Sequence, residues 1–429
     1  MIGRLQPVMA LLCLGLACAP ARHAPPAFRP ADGAAGRAAP PAQASVPHAP
    51  AAPAARAVLA AALSAARDVL TATRGGPVFG AAGSWSTGIF PHHVVAADFN
   101  GDGLPDLAIP NAGSATMTVL LGRKGGGFAP PVDYPCGRGP SWLEAADLDG
   151  DGHLDLVVAN TGAATLTLYF GDGKGAFGRR ADVEGVAQVS SLAALDLNGD
   201  GLPDLVLAQP ALSRLQVLLN RGGGRLEPGA AYPVDAAPHI VDTAELDGPG
   251  RPAVIVGSLA RHTLAVYWGN GDGTLRAGPT VQVGRNPHYR AYGDWNRDGH
   301  LDLAIADAGE GAIEVLFGDG AGGFRPGPRL PAGINPHGLT HGDFNGDGFE
   351  DLAASGRTSQ DVIVYLGDGK GGFAAQPPIF VGEDVIAIAA GDFDGDGKLD
   401  LALVSASTDR VLLLRGDGKG GFAPWGAGA

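Results

Sequence analysis

A nine-residue acidic loop recurs seven times at a spacing of 49 residues, and that constancy restricts the fold more than anything else in the chain. The copies read DFNGDGLPD (98–106), DLDGDGHLD (147–155), DLNGDGLPD (196–204), ELDGPGRPA (245–253), DWNRDGHLD (294–302), DFNGDGFED (343–351) and DFDGDGKLD (392–400). A fixed period free of insertions means that like units stack and share a core. A second motif keeps the same register. Gly122, Gly171, Asn220, Gly269, Gly318, Gly367 and Gly416 each open a Gly-rich turn.

Each period holds four short extended runs. One precedes the loop, as in Val94-Val-Ala-Ala97. One follows it, as in Leu107-Ala-Ile or Leu156-Val-Val. The third is Thr118-Val-Leu-Leu121 and its echoes, and the fourth starts at Phe128, Phe177, Leu226, Leu275, Phe324, Phe373 and Phe422. A lone four-stranded sheet of this length is not stable. Seven of them around an axis bury both faces, and unbroken aliphatic runs suit strands covered on both sides. The predicted fold is therefore all-β: a seven-bladed β-propeller of four-stranded antiparallel blades over residues 74–429. Gly75-Gly-Pro-Val-Phe79 repeats the fourth-strand signal with no strands before it. That predicts closure of the ring by residues 77–88 on the last blade, alongside or instead of Phe422–Trp425.

The N-terminal quarter is of another kind. Residues 1–18 carry Arg4 and the apolar run Val8–Ala17, too short to span a bilayer, and read as an export signal. Gly15-Leu-Ala-Cys18 resembles a lipobox, which would lipidate Cys18 and place the protein at the outer membrane or cell surface. Cleavage after Ala19 would instead leave it periplasmic or secreted. Residues 19–53 form an Ala/Pro-rich linker, and 54–73 have the apolar spacing of a short helix (Val58, Leu59, Leu63, Leu70). A net charge of −14 argues against nucleic acid and against an anionic membrane as partner, leaving the lipid anchor as the one route to a membrane. The expected state is a monomer. Cys136 has no disulfide partner within the repeats, so export leaves stability to the core and to metal.

The loops are where the metal belongs. Oxygens at positions 1, 3, 5, 7 and 9 of a tight turn converge, and glycine at position 6 allows the bend. The predicted ligands are Asp98, Asn100, Asp102, Leu104 (carbonyl) and Asp106; Asp147, Asp149, Asp151, His153 (carbonyl) and Asp155; Asp196, Asn198, Asp200, Leu202 (carbonyl) and Asp204. Across the ring they are Asp294, Asn296, Asp298, His300 (carbonyl) and Asp302; Asp343, Asn345, Asp347, Phe349 (carbonyl) and Asp351; Asp392, Asp394, Asp396, Lys398 (carbonyl) and Asp400. Several hard oxygens around one point suit Ca²⁺. An EF-hand is excluded, because a strand follows position 9 at once. Copy four keeps Glu245 and Asp247 but has Pro249 and Ala253 in place of two ligands, so about six structural Ca²⁺ are expected. At their odd-numbered positions these six loops hold 20 of the 44 acidic side chains, charge that waits for cations.

The DxDGDGxxD loop, the DLxV strand after it and the LGDGxGxF turn together resemble the FG-GAP/VCBS repeats of the integrin α-subunit propeller head. The resemblance covers about 350 residues. It implies seven blades, with Ca²⁺ between first and second strands, in a bacterial exported or lipoprotein setting.

Loops entering the first strands gather on the opposite face, near the axis. There Pro-His recurs at His92, His239, His288 and His337. With Trp142 and Tyr289 these residues are the candidate ligand face; repeat-encoded hydrogen bonding to a neighbouring backbone and a transition-metal site are the other readings of the histidines. No nucleophile and base stand outside the repeat pattern. The sequence therefore points to a calcium-stabilised module for adhesion, scaffolding or binding of a protein or glycan, with a lyase-like or other metal-dependent propeller enzyme as the alternative.

Overall fold

The computed structural model describes residues 83–234, 237–246 and 252–426. The export signal with Cys18, the linker, the helix expected over 54–73 and the loop residues Asp247 and Pro249 lie outside them. The described chain makes seven antiparallel sheets whose strands follow one another in sequence order, except that the seventh also takes Ser84–Ser86 from the start of the described chain. The first blade is Val95–Ala97, Asp106–Asn111, Thr116–Leu120 and Val132–Pro135, and the fifth is Pro287–Gly293, Asp302–Asp307, Ala312–Gly318 and Phe324–Pro331.

Burial peaks in the second strands. Every second strand is buried at all six positions, from Asp106–Asn111 to Asp400–Ser405. Fourth strands such as Val132–Pro135 and Arg179–Val183 are largely exposed. This is why the second-strand segments are continuous aliphatic runs while the fourth are mixed.

The core is divided into seven apolar clusters, each centred on two neighbouring blades. An open row of seven blades would have six seams; seven seams make a closed ring. The seventh joins Val94, Leu107, Ile109 and Phe128 of blade 1 to Phe393, Val404, Val411 and Leu413 of blade 7. Both chain ends complete blade 7. Ser84–Ser86 pairs with Arg410–Leu412, and Phe422–Pro424 pairs with Leu414–Gly416, so the two ends share one strand edge. The Gly-rich turn of blade 1 receives both tryptophans: a Cβ at Gly126 would lie 1.9 Å from Trp425, and one at Gly127 2.7 Å from Trp85. Only glycine leaves that space.

The acidic loops also hold the seams. The residue at loop position 2 packs on the Gly-rich turn of the next blade, as in Phe99 on Phe177 (5.6 Å between ring centroids), Phe344 on Phe422 (5.5 Å) and Phe393 on Phe128 (5.6 Å). Its carbonyl accepts a backbone N–H from the same turn, from Gly175 to Phe99 at 3.2 Å and from Gly420 to Phe344 at 3.0 Å. Two expectations shift. In blades 1 and 2 the fourth strand starts at Val132 and Arg179 rather than at the phenylalanine. Pro130 and Pro131 lack the N–H that an earlier start in blade 1 would need.

Candidate functional site

The six intact loops repeat one hydrogen-bonded form. Asp98 at position 1 accepts backbone N–H groups from Gly101 (2.7 Å) and Gly103 (2.8 Å), and Asn100 and Asp102 accept from residues two further on at 2.9 Å. Asp343 does the same with Gly346 (2.7 Å) and Gly348 (2.9 Å). In copy five Arg297 takes the left-handed conformation (φ 57°) that glycine has elsewhere, and Asp294 still accepts from Gly299 at 3.0 Å. Three carboxylates come within 4.8 Å of one another in Asp147, Asp149 and Asp151, and again in Asp392, Asp394 and Asp400.

Position 9 has a second task that the sequence reading missed. Asp106 is the first residue of its strand and fully buried; one oxygen accepts from Phe99 N (2.8 Å), the other from Gly122 N (2.7 Å). Asp155, Asp204, Asp302, Asp351 and Asp400 form the same pair of bonds. Each thereby ties the acidic loop to the end of the third strand. Where copy four has Ala253, Gly269 N donates to the Pro252 carbonyl instead (2.9 Å). Burial pushes Asp106, Asp155, Asp302 and Asp351 up to about 6, and Asp400 to about 7, with crowding by the other loop acids adding to it.

Crowded acids around an oxygen-lined turn fit a hard dication. Cationic side chains already seek the same spots: Arg179 meets Asp149, Arg325 meets Asp298 (3.1 Å), and Arg415 meets Asp394 (2.8 Å) and Asp396 (3.0 Å). The residues that would hold Ca²⁺ are those at positions 1, 3, 5 and 9, with the carbonyl at 7. Bound there, the ion supplies charge neutralisation and loop order.

On the other face the candidate residues do converge, but not as an open cup. His93, Trp142 and Tyr289 come from blades 1, 2 and 5 and stack across the axis, with centroids 4.0 Å (His93–Trp142) and 5.8 Å (His93–Tyr289) apart. Trp142 is 6% exposed, so it offers no free aromatic platform. Around this plug lie the Pro-His imidazoles: His239–His288 at 5.7 Å, His288–His337 at 4.5 Å and His337–Tyr289 at 5.4 Å. Two of them carry the interblade bond that the repeat encodes. His92 Nδ1 meets the Ser141 carbonyl (3.0 Å) and His337 Nδ1 the Ile386 carbonyl (2.7 Å), each 49 residues on. Burial holds them neutral, His288 down to about 3 and His239 and His337 to about 4, helped by neighbouring imidazoles and Arg357.

Next to the plug sits a polar group absent from the sequence expectations. Trp142 Nε1 donates to Glu144 (3.3 Å), whose carboxyl burial pushes up to about 8, with Asp242 adding repulsion. Asp242 itself binds the guanidinium of Arg290 (2.7 Å, side chain 1% exposed) and accepts from the Tyr292 hydroxyl (3.1 Å). The signal was available in register: Arg290 stands where Val94, Leu143, Leu192, Val241, Leu339 and Ile388 are aliphatic. Cys136 is half-buried and its thiol is pushed up to about 12 by burial, consistent with a spare thiol.

The FG-GAP-like repeat family matches at residues 98–158, 147–207, 196–256, 245–305, 294–354 and 343–403, two loops at a time and well over half of the chain. The chain belongs to the FG-GAP-like repeat family. Among solved structures this FG-GAP-like ring is similar to BBS1N in complex with ARL6DN (TM-score 0.55, 13% identity, 78% of this chain and 96% of that one). It also resembles a Lactobacillus plantarum protein (0.54, 15%, 80% and 94%) and the periplasmic gluconolactonase of Pseudomonas aeruginosa (0.55, 16%, 68% and 85%). At these identities the likeness shows the fold. No curated protein sequence matches significantly. The family match includes copy four, whose altered loop the repeat pattern tolerates.

Proposed function

We propose that this FG-GAP-like propeller is a calcium-stapled scaffold, exported from the cell, that takes a protein partner on the face opposite its acidic loops. One observation carries the choice of face and partner. Of the five exposed large apolar side chains among the described residues, Ile89, Phe90, Leu212 and Ile334 lie in the loops of that face, Ile334 at 62% exposure. Phe90 is held at φ 58°, where Asn286 and Asn335 stand in the equivalent turns. A bulky residue in the left-handed region costs stability, and a cost kept on an exposed surface points to a contact made there. BBS1N, which shares the fold, is itself in complex with a protein.

Calcium supplies rigidity to this arrangement. At about 1 mM Ca²⁺ and a Kd of about 0.1 mM, each loop adds about 1.4 kcal/mol, and six add about 8. Such concentrations are extracellular, which agrees with the export signal read in residues 1–18. The test is capture from a cell-envelope extract with the wild-type chain and with Phe90→Asp/Ile334→Asp as baits. A protein held by the first and lost by the second is the expected result. Equal retention by both, or a glycan as the one ligand captured, contradicts the assignment.

A further inference from the structure

The imidazoles of blades 4, 5 and 6 stand at a spacing that the repeat bonding does not require. Two imidazoles sharing one tetrahedral ion, at metal–nitrogen distances of about 2.0–2.1 Å, hold their ring centroids about 5 Å apart. His239–His288 at 5.7 Å and His288–His337 at 4.5 Å bracket that value. His337 is anchored as a ligand needs to be: its Nδ1 is engaged by the Ile386 carbonyl (2.7 Å), which leaves Nε2 with a free lone pair. His239 Nδ1 is buried without a partner. His239 and His288 are half-buried residues, so the group lies within reach of solvent. Their nitrogens are not yet converged, because among the described residues only the two acidic triads bring three ligand atoms within 4.8 Å.

From this geometry we infer that His239, His288 and His337 form a site for one borderline transition-metal dication, such as Zn²⁺ or Cu²⁺, at the axis of the ring. Binding turns the His239 and His288 rings toward the anchored His337. Nitrogen donors select such ions over Ca²⁺, so this site and the oxygen-lined loops take different metals from one solution.

The experiment uses the untagged full-length chain in saturating Ca²⁺, dialysed against limiting Zn²⁺ or Cu²⁺. Metal content is counted, and the Cu²⁺ form is read for nitrogen coupling by electron paramagnetic resonance. The expected result is one Zn²⁺ or Cu²⁺ per chain, nitrogen-coupled. His288→Ala should weaken binding by about tenfold or more, with melting in Ca²⁺ alone unchanged. His341→Ala, whose ring pairs with Glu350 away from the group, should bind as wild type. No retained metal, or retention undiminished in both His288→Ala and His239→Ala, overturns the site. Should His288→Ala prove unstable, His288→Gln and the copper spectrum of the wild-type chain decide the question.

Discussion

The two faces of this ring are built by opposite rules. On the acidic face six loops repeat the same bonds nearly atom for atom, and the one departure, copy four, keeps the connection by exchanging the Asp staple for a backbone bond to Pro252. On the histidine face equivalent positions diverge. His93, Trp142 and Tyr289 plug the axis, while Ser191, Ile240, Gly338 and Ala387 hold the same register. Repetition marks what stability needs at every seam, and divergence lets three unlike side chains fill the axis once. The acidic loops serve the seams through position 2, which packs on the next blade, so an ion that orders a loop also fastens two blades.

The sharpest way to break this comparison lies at position 9. Sequence alone predicts that Asp400→Ala costs stability only when calcium is present. The structure changes that expectation, because the substitution strands two buried backbone N–H groups. At about 1–3 kcal/mol each, the loss should be about 3 kcal/mol in chelator and larger in calcium, measured by denaturant unfolding. Asp396→Ala, at position 5, should lose about 1.4 kcal/mol in calcium and little in chelator. Identical behaviour of the two variants would erase the distinction between staple and ligand.

On the other face Phe90→Asn should gain about 1 kcal/mol by relieving the left-handed backbone while weakening partner capture; a loss of stability would show that the strain argument is wrong. Glu144→Gln tests the axial acid. Its folded-state pKa of about 8 lies above the ordinary 4.5, so the folded chain keeps a proton that the unfolded chain releases. The wild type therefore loses stability as pH rises from about 4.5 to about 8. The variant should melt above the wild type at pH 8.5, with the gain fading toward pH 4. A constant difference across that range would contradict the assignment. The smallest effect is expected from Asp247→Ala in copy four, within about 0.5 kcal/mol with or without calcium.

How much was legible follows the same division. Blade number, strand order and the composite last blade could be read from a 49-residue period and from one unmatched turn, Gly75–Phe79, because they depend on residues that recur. The Pro-His positions were also legible, and two of the four imidazoles, His92 and His337, make the repeat-encoded bond. What a single repeat does not display was missed. The pair of hydrogen bonds accepted by Asp106, and by its five equivalents, joins residues 7 and 16 positions away, and the Asp242–Arg290 pair joins two blades. Trp142 and Tyr289 were expected on a ligand face; their meeting across the axis depends on the closed ring.

The central claim is that calcium staples the seams, and the most direct measurement is calcium content and melting temperature of the full-length chain before and after chelation. About six Ca²⁺ per chain, with a loss of several kcal/mol on chelation that returns on adding calcium, is the predicted result. Fewer than two Ca²⁺, or a melting temperature indifferent to chelator, would contradict the account and leave the loops as turns held by aspartate alone.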